Sequence, residues 1–304
     1  MNGVYAIAAL LVFPGLLYAL PMGCLMMGAE RKLRARFQGR IGPPLSQPFY
    51  DMVKLAAKWA VPRSSADRDL LAAFPLLSVG AMIGALALLP VFHDHSSFTG
   101  DLILLVGLLE IPPICMVLAG YASRSIYGEI GANREAAISI SSNFSFFTAL
   151  IAMATAAGSL QTITIAFATP WQVRVPAMLA ILICLPVKLR LNPFSISNAE
   201  QEVLTGPLVE SEGRLLALWE LAHALEWVAL IGFFVTIVIP IRSGAWWLDA
   251  LVFAACSLVM VVLLTFLASA MARLKLRQAT RLLWRYSFAL AAVALAAAFL
   301  NRGN

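Results

Sequence analysis

The chain has 304 residues, of which 61% are hydrophobic and only 12% are charged. A soluble domain carries about 25% charged residues, so this composition excludes an ordinary soluble fold and indicates a polytopic membrane protein. The formal net charge of +6 does not indicate nucleic-acid binding, because a membrane protein collects cations in the loops on one side of the bilayer.

The four cysteines stand singly within apolar segments and form no CxxC pair. Iron–sulfur clusters are held by clustered thiolates, so the sequence predicts no redox centre within this chain. No catalytic group and no metal site are predicted in it either.

Eight apolar segments are long enough to cross a bilayer as helices. The loops between them form two sets, and one set holds or borders 19 of the 22 Lys and Arg residues. The positive-inside rule places this basic set in the cytoplasm and both termini outside. We therefore predict an all-α polytopic membrane protein with one membrane domain over residues 1–304. The spans lie near 3–29, 70–93, 101–121, 136–158, 173–190, 222–241, 246–269 and 282–300, and the basic loops are 30–69, 122–135, 191–221 and 270–281.

The first basic loop opens with a dense run of cations. An uncharged run of 29 residues precedes it, and a Gly-Pro-Pro sequence at residues 42–44 ends it. Residues 46–60 of the same loop show helical spacing, with Asp51, Lys54 and Lys58 on one face. This pattern fits a helix in the membrane interface, and equally a short helix packed against the bundle. The cations are Arg31, Lys32, Arg34, Arg36 and Arg40.

Few ionisable residues interrupt the spans, and such residues face protein or water rather than lipid. Glu110 lies within the third span, just before a tandem proline, and Glu226 lies in the sixth span, one turn after His223. Glu220, His223 and Glu226 are spaced to share a helix face. Proton relay is the functional interpretation of these groups. The structural alternative is an acid that hydrogen-bonds the backbone or lies close enough to the surface to stay hydrated.

Ordered motifs occur in all four basic loops, over residues 30–43, 120–135, 192–210 and 269–276. Together they resemble the loops of the complex I membrane subunit called NADH dehydrogenase subunit 1 and of its bacterial counterparts. They also resemble its relatives in membrane-bound group 4 NiFe hydrogenases and formate hydrogenlyase. Gln47–Asp51, Ile130–Glu135 and Gly206–Glu210 are more similar to the hydrogenase anchor subunits than to complex I itself.

The resemblance implies a membrane anchor whose cytoplasmic loops dock a hydrogenase-like large subunit and an iron–sulfur small subunit, beside antiporter-like membrane subunits. It implies that iron–sulfur clusters, and NiFe in a hydrogenase, belong to these partners, and that in complex I a quinone headgroup binds at the interface. It further implies the inner (plasma) membrane of a bacterium or archaeon. We expect Arg36, Arg40 and Arg134 to position the loops against the acidic third loop. The docking candidates are Glu30, Arg31, Arg36, Gln38, Arg40, Arg134, Glu200, Glu202, Glu210 and Arg273.

The chain departs from the family where acids are expected. Lys188 stands where the family usually has a glutamate at the end of the fifth span, and Ser142-Asn143 occupies another acidic position. The third loop also lacks two carboxylates of the family pattern. A proton route through this chain is therefore rerouted or missing. Lys188 either titrates, because desolvation lowers the pKa of a buried lysine, or pairs statically with Glu226 or Glu110.

Three functions follow from the sequence as alternatives. The first is a non-catalytic membrane anchor subunit of a hydrogenase-type or complex I-like oxidoreductase, with or without a part in proton translocation. The second is the quinone-chamber subunit of a proton-pumping NADH:quinone-type oxidoreductase. The third is an independent ion transporter, which no internal repeat and no matching pair of broken helices supports. The candidates for a proton path are Glu110, Lys188, His223 and Glu226.

Overall fold

The computed structural model describes residues 16–58, 68–89, 98–197, 206–239 and 246–302, and the regular structure of these residues is entirely helical. The helices in chain order are α1 (Leu16–Phe37), α2 (Gln47–Ala57), α3 (Arg68–Leu88), α4 (Asp101–Ala122), α5 (Ile126–Ala157), α6 (Thr162–Ala168), α7 (Trp171–Lys188), α8 (Arg214–Val238), α9 (Trp246–Ala270), α10 (Leu276–Leu282) and α11 (Phe288–Arg302). A 3₁₀ turn, Gly206–Leu208, precedes α8, and a π-helical turn, Leu283–Ser287, joins α10 to α11.

Seven helical segments of the described residues are long and apolar enough to cross a membrane. They confirm the second to the eighth predicted spans. The first predicted span is described only from residue 16, where α1 begins. The seven segments are Asp69–Leu88, Asp101–Ala122, Ile126–Ala157, Trp171–Lys188, Arg214–Val238, Leu251–Ala270 and Leu276–Asn301.

Helix α8 lies at the centre of the bundle. In its spanning window 78% of the residues are buried, against 28–50% in the other six segments. It packs against α1, α2, α3, α4, α6, α7 and α9. The contact with α1 is so close that a Cβ at Gly23 would lie 2.1 Å from the carbonyl oxygen of Ala224. Small residues allow such close approach between membrane helices.

The predicted basic loops are too long, because the helices continue past the apolar spans. Hydropathy detects the stretch that crosses lipid, whereas a helix ends where its backbone hydrogen bonds and caps end it. The cations from Arg31 to Arg36 therefore lie on α1 and not in a loop. The other spanning helices that begin inside predicted basic loops are α3 at Arg68, α5 at Ile126 and α8 at Arg214, and the short helix α10 begins inside one at Leu276.

Helix α2 confirms the amphipathic helix that was predicted in the first basic loop. Its Pro48 and Met52 are turned toward the bundle, where Met52 packs against the core. Its Phe49 and Val53 are exposed. The helix therefore combines the two predicted alternatives, because one edge packs on the bundle while an apolar edge faces outward.

The connections at one end of the bundle lie close together, and we call this end the basic end. The amide of Leu274 donates to the carbonyl of Pro193 at 3.0 Å, which joins the fourth connection to the third. The 3₁₀ turn packs between α4 and α5, where a Cβ at Gly131 would lie 2.7 Å from the ring of Pro207. The described residues of the basic end are 38–46, 123–125, 189–197, 206–213 and 271–275.

Candidate functional site

A closed triangle of polar side chains lies buried between α4, α5 and α7. Lys188 forms an ion pair with Glu110, and its Nζ donates to Asn143 Oδ1 at 2.9 Å. Asn143 Nδ2 in turn donates to Glu110 Oε2 at 2.8 Å. The Lys188 ammonium also lies 4.4 Å from the centre of the Phe146 ring, where the face of the aromatic ring attracts a cation. The buried ammonium of Lys188 therefore contacts a carboxylate, an amide oxygen and an aromatic ring.

A second set of polar groups begins two residues later, where the chain turns. Arg190 has a φ of +54°, an uncommon backbone conformation for a residue with a side chain. The turn lets Arg190 reach α8, where its guanidinium forms an ion pair with Glu226. Its Nη1 contacts Met116 Sδ at 3.2 Å. Lys188 and Arg190 therefore each neutralise one carboxylate inside the bundle.

His223 completes this second set. Trp227 Nε1 is a donor only, so its 3.2 Å contact with His223 Nε2 makes Nε2 the acceptor. The other ring nitrogen, Nδ1, lies 3.0 Å from Glu226 Oε2. Arg190 Nη2 lies 2.8 Å from the same Nδ1, because both groups converge on the Glu226 carboxylate.

Glu135 is a buried acid that the sequence analysis did not include among the site residues. It is 3% exposed on α5, and its carboxyl interacts with the hydroxyl of Ser197. Arg190 and Lys188 also lie within electrostatic reach of it. Glu135 was assigned to a loop because it directly precedes the predicted fourth span. If the helix had been predicted to begin at least one turn before the apolar stretch, Glu135 would have been placed inside the bundle.

These groups form one unit, because Lys188 acts electrostatically on both Glu135 and Glu226. We call the set the buried charge cluster. Its members are Glu110, Glu135, Lys188, Arg190, His223 and Glu226. All four predicted proton-path candidates belong to it, and the structure selects Glu110 over Glu226 as the partner of Lys188.

A pocket of about 370 Å³ lies at the basic end, beside the buried charge cluster. Arg190, His223 and Trp227 line it, so the pocket and the cluster share a wall. Glu220 lines it as well, beside His223, as the helix spacing predicted. The indole of Trp219 is buried and its Nε1 has no hydrogen-bond partner among the described residues. The remaining lining residues are Met27, Glu30, Arg31, Arg34, Met116, Leu189, Leu191, Leu208 and Trp219.

The family model for NADH dehydrogenase matches residues 8–299. The chain belongs to this family. It is 30% identical over 282 residues to hydrogenase-4 component C of Escherichia coli (strain K12), covering 89% of each chain. It is 31% identical over 290 residues to formate hydrogenlyase subunit 4 of the same strain, covering 90% of this chain and 94% of that one.

Two further similar proteins extend the comparison to complexes with other names. NADH-quinone oxidoreductase subunit 8 of Thermus thermophilus is 32% identical over 247 residues, or 73% of this chain and 66% of that one. A chain of the membrane-bound sulfane sulfur reductase, an archaeal respiratory membrane complex, superposes with a TM-score of 0.84 at 26% identity. That superposition covers 97% of this chain and 99% of that chain.

Some of the predicted docking residues are exposed at the basic end, and others contact residues of the same chain. Arg36, Gln38, Arg40 and Arg273 are exposed. Arg31 instead pairs with Asp51 of α2 at 3.0 Å. Arg134 and Glu210 also take part in contacts within the chain. Glu200 and Glu202 lie outside the described residues, so the expected pairing of the arginines with this acidic stretch stays a prediction.

Glu30 differs from the other docking candidates because it is buried. It is only 6% exposed, and it forms an ion pair with Arg34 one helical turn later. Burial raises the pKa of its carboxyl, and the nearby charges of Arg34 and Arg31 offset part of that effect. Glu30 therefore belongs to the pocket wall rather than to an exposed docking surface.

Proposed function

We propose that the chain is the membrane anchor subunit of a multisubunit, hydrogenase-type or complex I-like oxidoreductase. The observation that carries the proposal is the basic end, where exposed arginines lie at the same end of the bundle as a pocket that shares a wall with the buried charge cluster. Arginine presents a planar set of donors that suits fixed pairing with partner carboxylates. Relatives named for a hydrogenase, a formate hydrogenlyase, a quinone reductase and a sulfane sulfur reductase share this fold. Because these relatives share one fold but are named for different reactions, the fold favours an anchoring role over any one of those reactions.

The partners that suit the basic end are a hydrogenase-like large subunit and an iron–sulfur small subunit. In this proposal they hold the iron–sulfur clusters and, in a hydrogenase, the NiFe centre. Antiporter-like membrane subunits pack laterally against the bundle within the lipid bilayer. The basic end faces the cytoplasm across a bacterial or archaeal inner membrane, because the cations concentrate there.

Charge reversal at the exposed arginines tests the docking proposal. We expect the double substitution R36E/R40E to remove most of the copurifying iron–sulfur small subunit while the chain still accumulates in the membrane. The matched control is Arg302→Glu, at the far end of α11, where Asn301 Nδ2 donates to Gln172 Oε1 at 3.3 Å. Full retention of the small subunit by R36E/R40E, with the chain in the membrane, would contradict the proposal.

A proton path through the buried charge cluster is part of the proposed function. Glu110, Lys188, His223 and Glu226 are its candidate members, and ionisable groups inside a membrane bundle commonly serve proton transfer. The cluster meets the pocket at His223, which supports proton exchange with the basic end. Proton uptake by the assembled complex in vesicles, compared between the native chain and H223Q, measures this contribution.

A quinone headgroup in the pocket is the second candidate function. Its support is the buried Trp219 Nε1, a donor without a partner among the described residues, in a pocket whose walls combine apolar and aromatic side chains with charged ones. A pocket of about 370 Å³ falls in the size range of small-molecule sites. Reduction of a soluble quinone analogue that falls with W219F would favour this function. Proton reduction by the complex, unaffected by quinone analogues, would favour the hydrogenase type.

A further inference from the structure

The buried charge cluster contains more acids than cations. Its three carboxyl groups, on Glu110, Glu135 and Glu226, are each at most 7% exposed. Lys188 pairs with Glu110 and Arg190 pairs with Glu226. Within the described part of the chain, no cation forms a direct ion pair with the third acid, Glu135. If all three carboxyl groups were ionised, the cluster would carry one uncompensated negative charge.

His223 does not supply the missing positive charge. Trp227 Nε1 donates to His223 Nε2, so that nitrogen carries no proton. An imidazolium would place two N–H donors against each other at 3.2 Å. Arg190 Nη2, which is also a donor only, lies 2.8 Å from His223 Nδ1, so donors face both ring nitrogens and these contacts oppose a second proton on the ring.

The surroundings of Glu135 do not compensate its charge either. The charged groups that act on it from the neighbouring elements are Arg190, Lys188 and Glu226. Both cations are already bound to other carboxylates, and Glu226 repels a second negative charge. An unpaired carboxylate inside a protein is so costly that it takes up a proton instead.

We propose that Glu135 is a proton-binding site, which carries a proton at neutral pH in the resting protein and makes the buried charge cluster neutral. The hydroxyl of Ser197 at the basic end is the polar group beside this carboxyl. The cluster thereby gains a proton that leaves or returns without breaking either ion pair. The proposal is independent of which partner docks at the basic end.

Two matched substitutions test the proposal in the complex that copurifies with this chain. Glutamine has the shape of a protonated glutamic acid, so we expect Glu135→Gln to leave the midpoint of thermal unfolding nearly unchanged. Glu226→Gln instead leaves the buried Arg190 unpaired, and we expect it to lower that midpoint by several degrees. Infrared spectroscopy gives the direct readout, because a protonated carboxyl has a carbonyl stretching band that a carboxylate lacks.

We expect the wild-type spectrum at neutral pH to contain a protonated-carboxyl band that is lost in Glu135→Gln. The proposal is overturned if Glu135→Gln keeps the whole band. It is also overturned if Glu135→Gln destabilises the protein as much as Glu226→Gln or fails to accumulate, since an isostere of the protonated acid should be tolerated. A wild-type spectrum without such a band would overturn it as well. Because neither readout measures docking, failure of the docking proposal would leave this result unchanged.

Discussion

Lys188 stands where the sequence analysis expected a glutamate of the family pattern, and its surroundings explain why a cation is stable there. Glu110 lies on α4 and Asn143 on α5, and both contact the Lys188 ammonium. A glutamate in place of Lys188 would face Glu110 as a like charge. The lysine instead forms a buried ion pair with Glu110, which favours a structural role for it.

Removing one member of this pair should cost more than removing both. We expect Lys188→Met to lower the free energy of unfolding in detergent by about 3–5 kcal/mol, because Glu110 is left buried and unpaired. The double substitution K188M/E110Q should recover most of that loss. If Lys188→Met is as stable as the wild type, the ion pair does not stabilise the bundle.

Glu30 predicts a pH dependence of stability with a definite sign. Its pKa is higher in the folded protein than in the unfolded chain, with burial as the main cause. The folded state therefore binds more protons, and stability falls as the pH rises from about 4.5 through the raised pKa. We expect Glu30→Gln to be more stable than the wild type at neutral pH, by a margin that vanishes below about pH 4. Thermal unfolding of the purified chain at several pH values measures this margin, and a margin that grows toward acid pH would contradict it.

At the scale of elements, the position of α8 depends on small residues on its neighbours. Helix α8 packs against most of the other described helices, and its contact with α1 leaves no room for a side chain at Gly23. The 3₁₀ turn is wedged in the same way against Gly131 of α5. These close contacts bring the ends of α1, α4, α7 and α8 around one pocket.

A single methyl group tests the contact between α1 and α8. We expect Gly23→Ala to lower the free energy of unfolding by about 1–3 kcal/mol, because the new Cβ meets the backbone of Ala224 and the helices must separate. Gly80→Ala on α3 is the matched control, since a Cβ there meets nothing within 4 Å. It should be neutral or mildly stabilising, because alanine favours a helix more than glycine does. Equal effects of the two substitutions would contradict the packing argument.

At the scale of the whole molecule, the charges at the basic end and the apolar surface of the helices imply one orientation in the bilayer. The positive-inside rule predicts that the basic end faces the cytoplasm. The opposite end includes the contact between Gln172 and Asn301, at the start of α7 and the end of α11. The two ends should therefore meet different aqueous compartments.

Labelling of single cysteines tests this orientation in whole cells. We expect Gln38→Cys to react with a membrane-impermeant maleimide only after the membrane is permeabilised, because it is exposed at the basic end. Asn301→Cys should react in intact cells. The native Cys24, Cys115 and Cys184 are buried, so the unsubstituted chain provides the background signal. The reverse labelling pattern would contradict the predicted topology.

The sequence by itself determined the membrane class, seven of the spans and the family. These follow from hydropathy over windows of about 20 residues and from short motifs, both of which are local properties of the chain. The amphipathic helix α2 was predictable for the same reason. Helix ends were not, because polar turns continue α1 and α5 beyond the lipid-crossing stretch.

Only the tertiary structure decided which buried charges meet. Lys188 and Glu110 are 78 residues apart in the chain, and Arg190 and Glu226 are 36 apart. Nothing in local spacing distinguishes these pairs from the alternative pair of Lys188 with Glu226. The choice depends on how α4, α5, α7 and α8 pack and on the turn at Arg190, which directs two successive cations at two different acids. The same packing leaves Glu135 buried without a cation of its own.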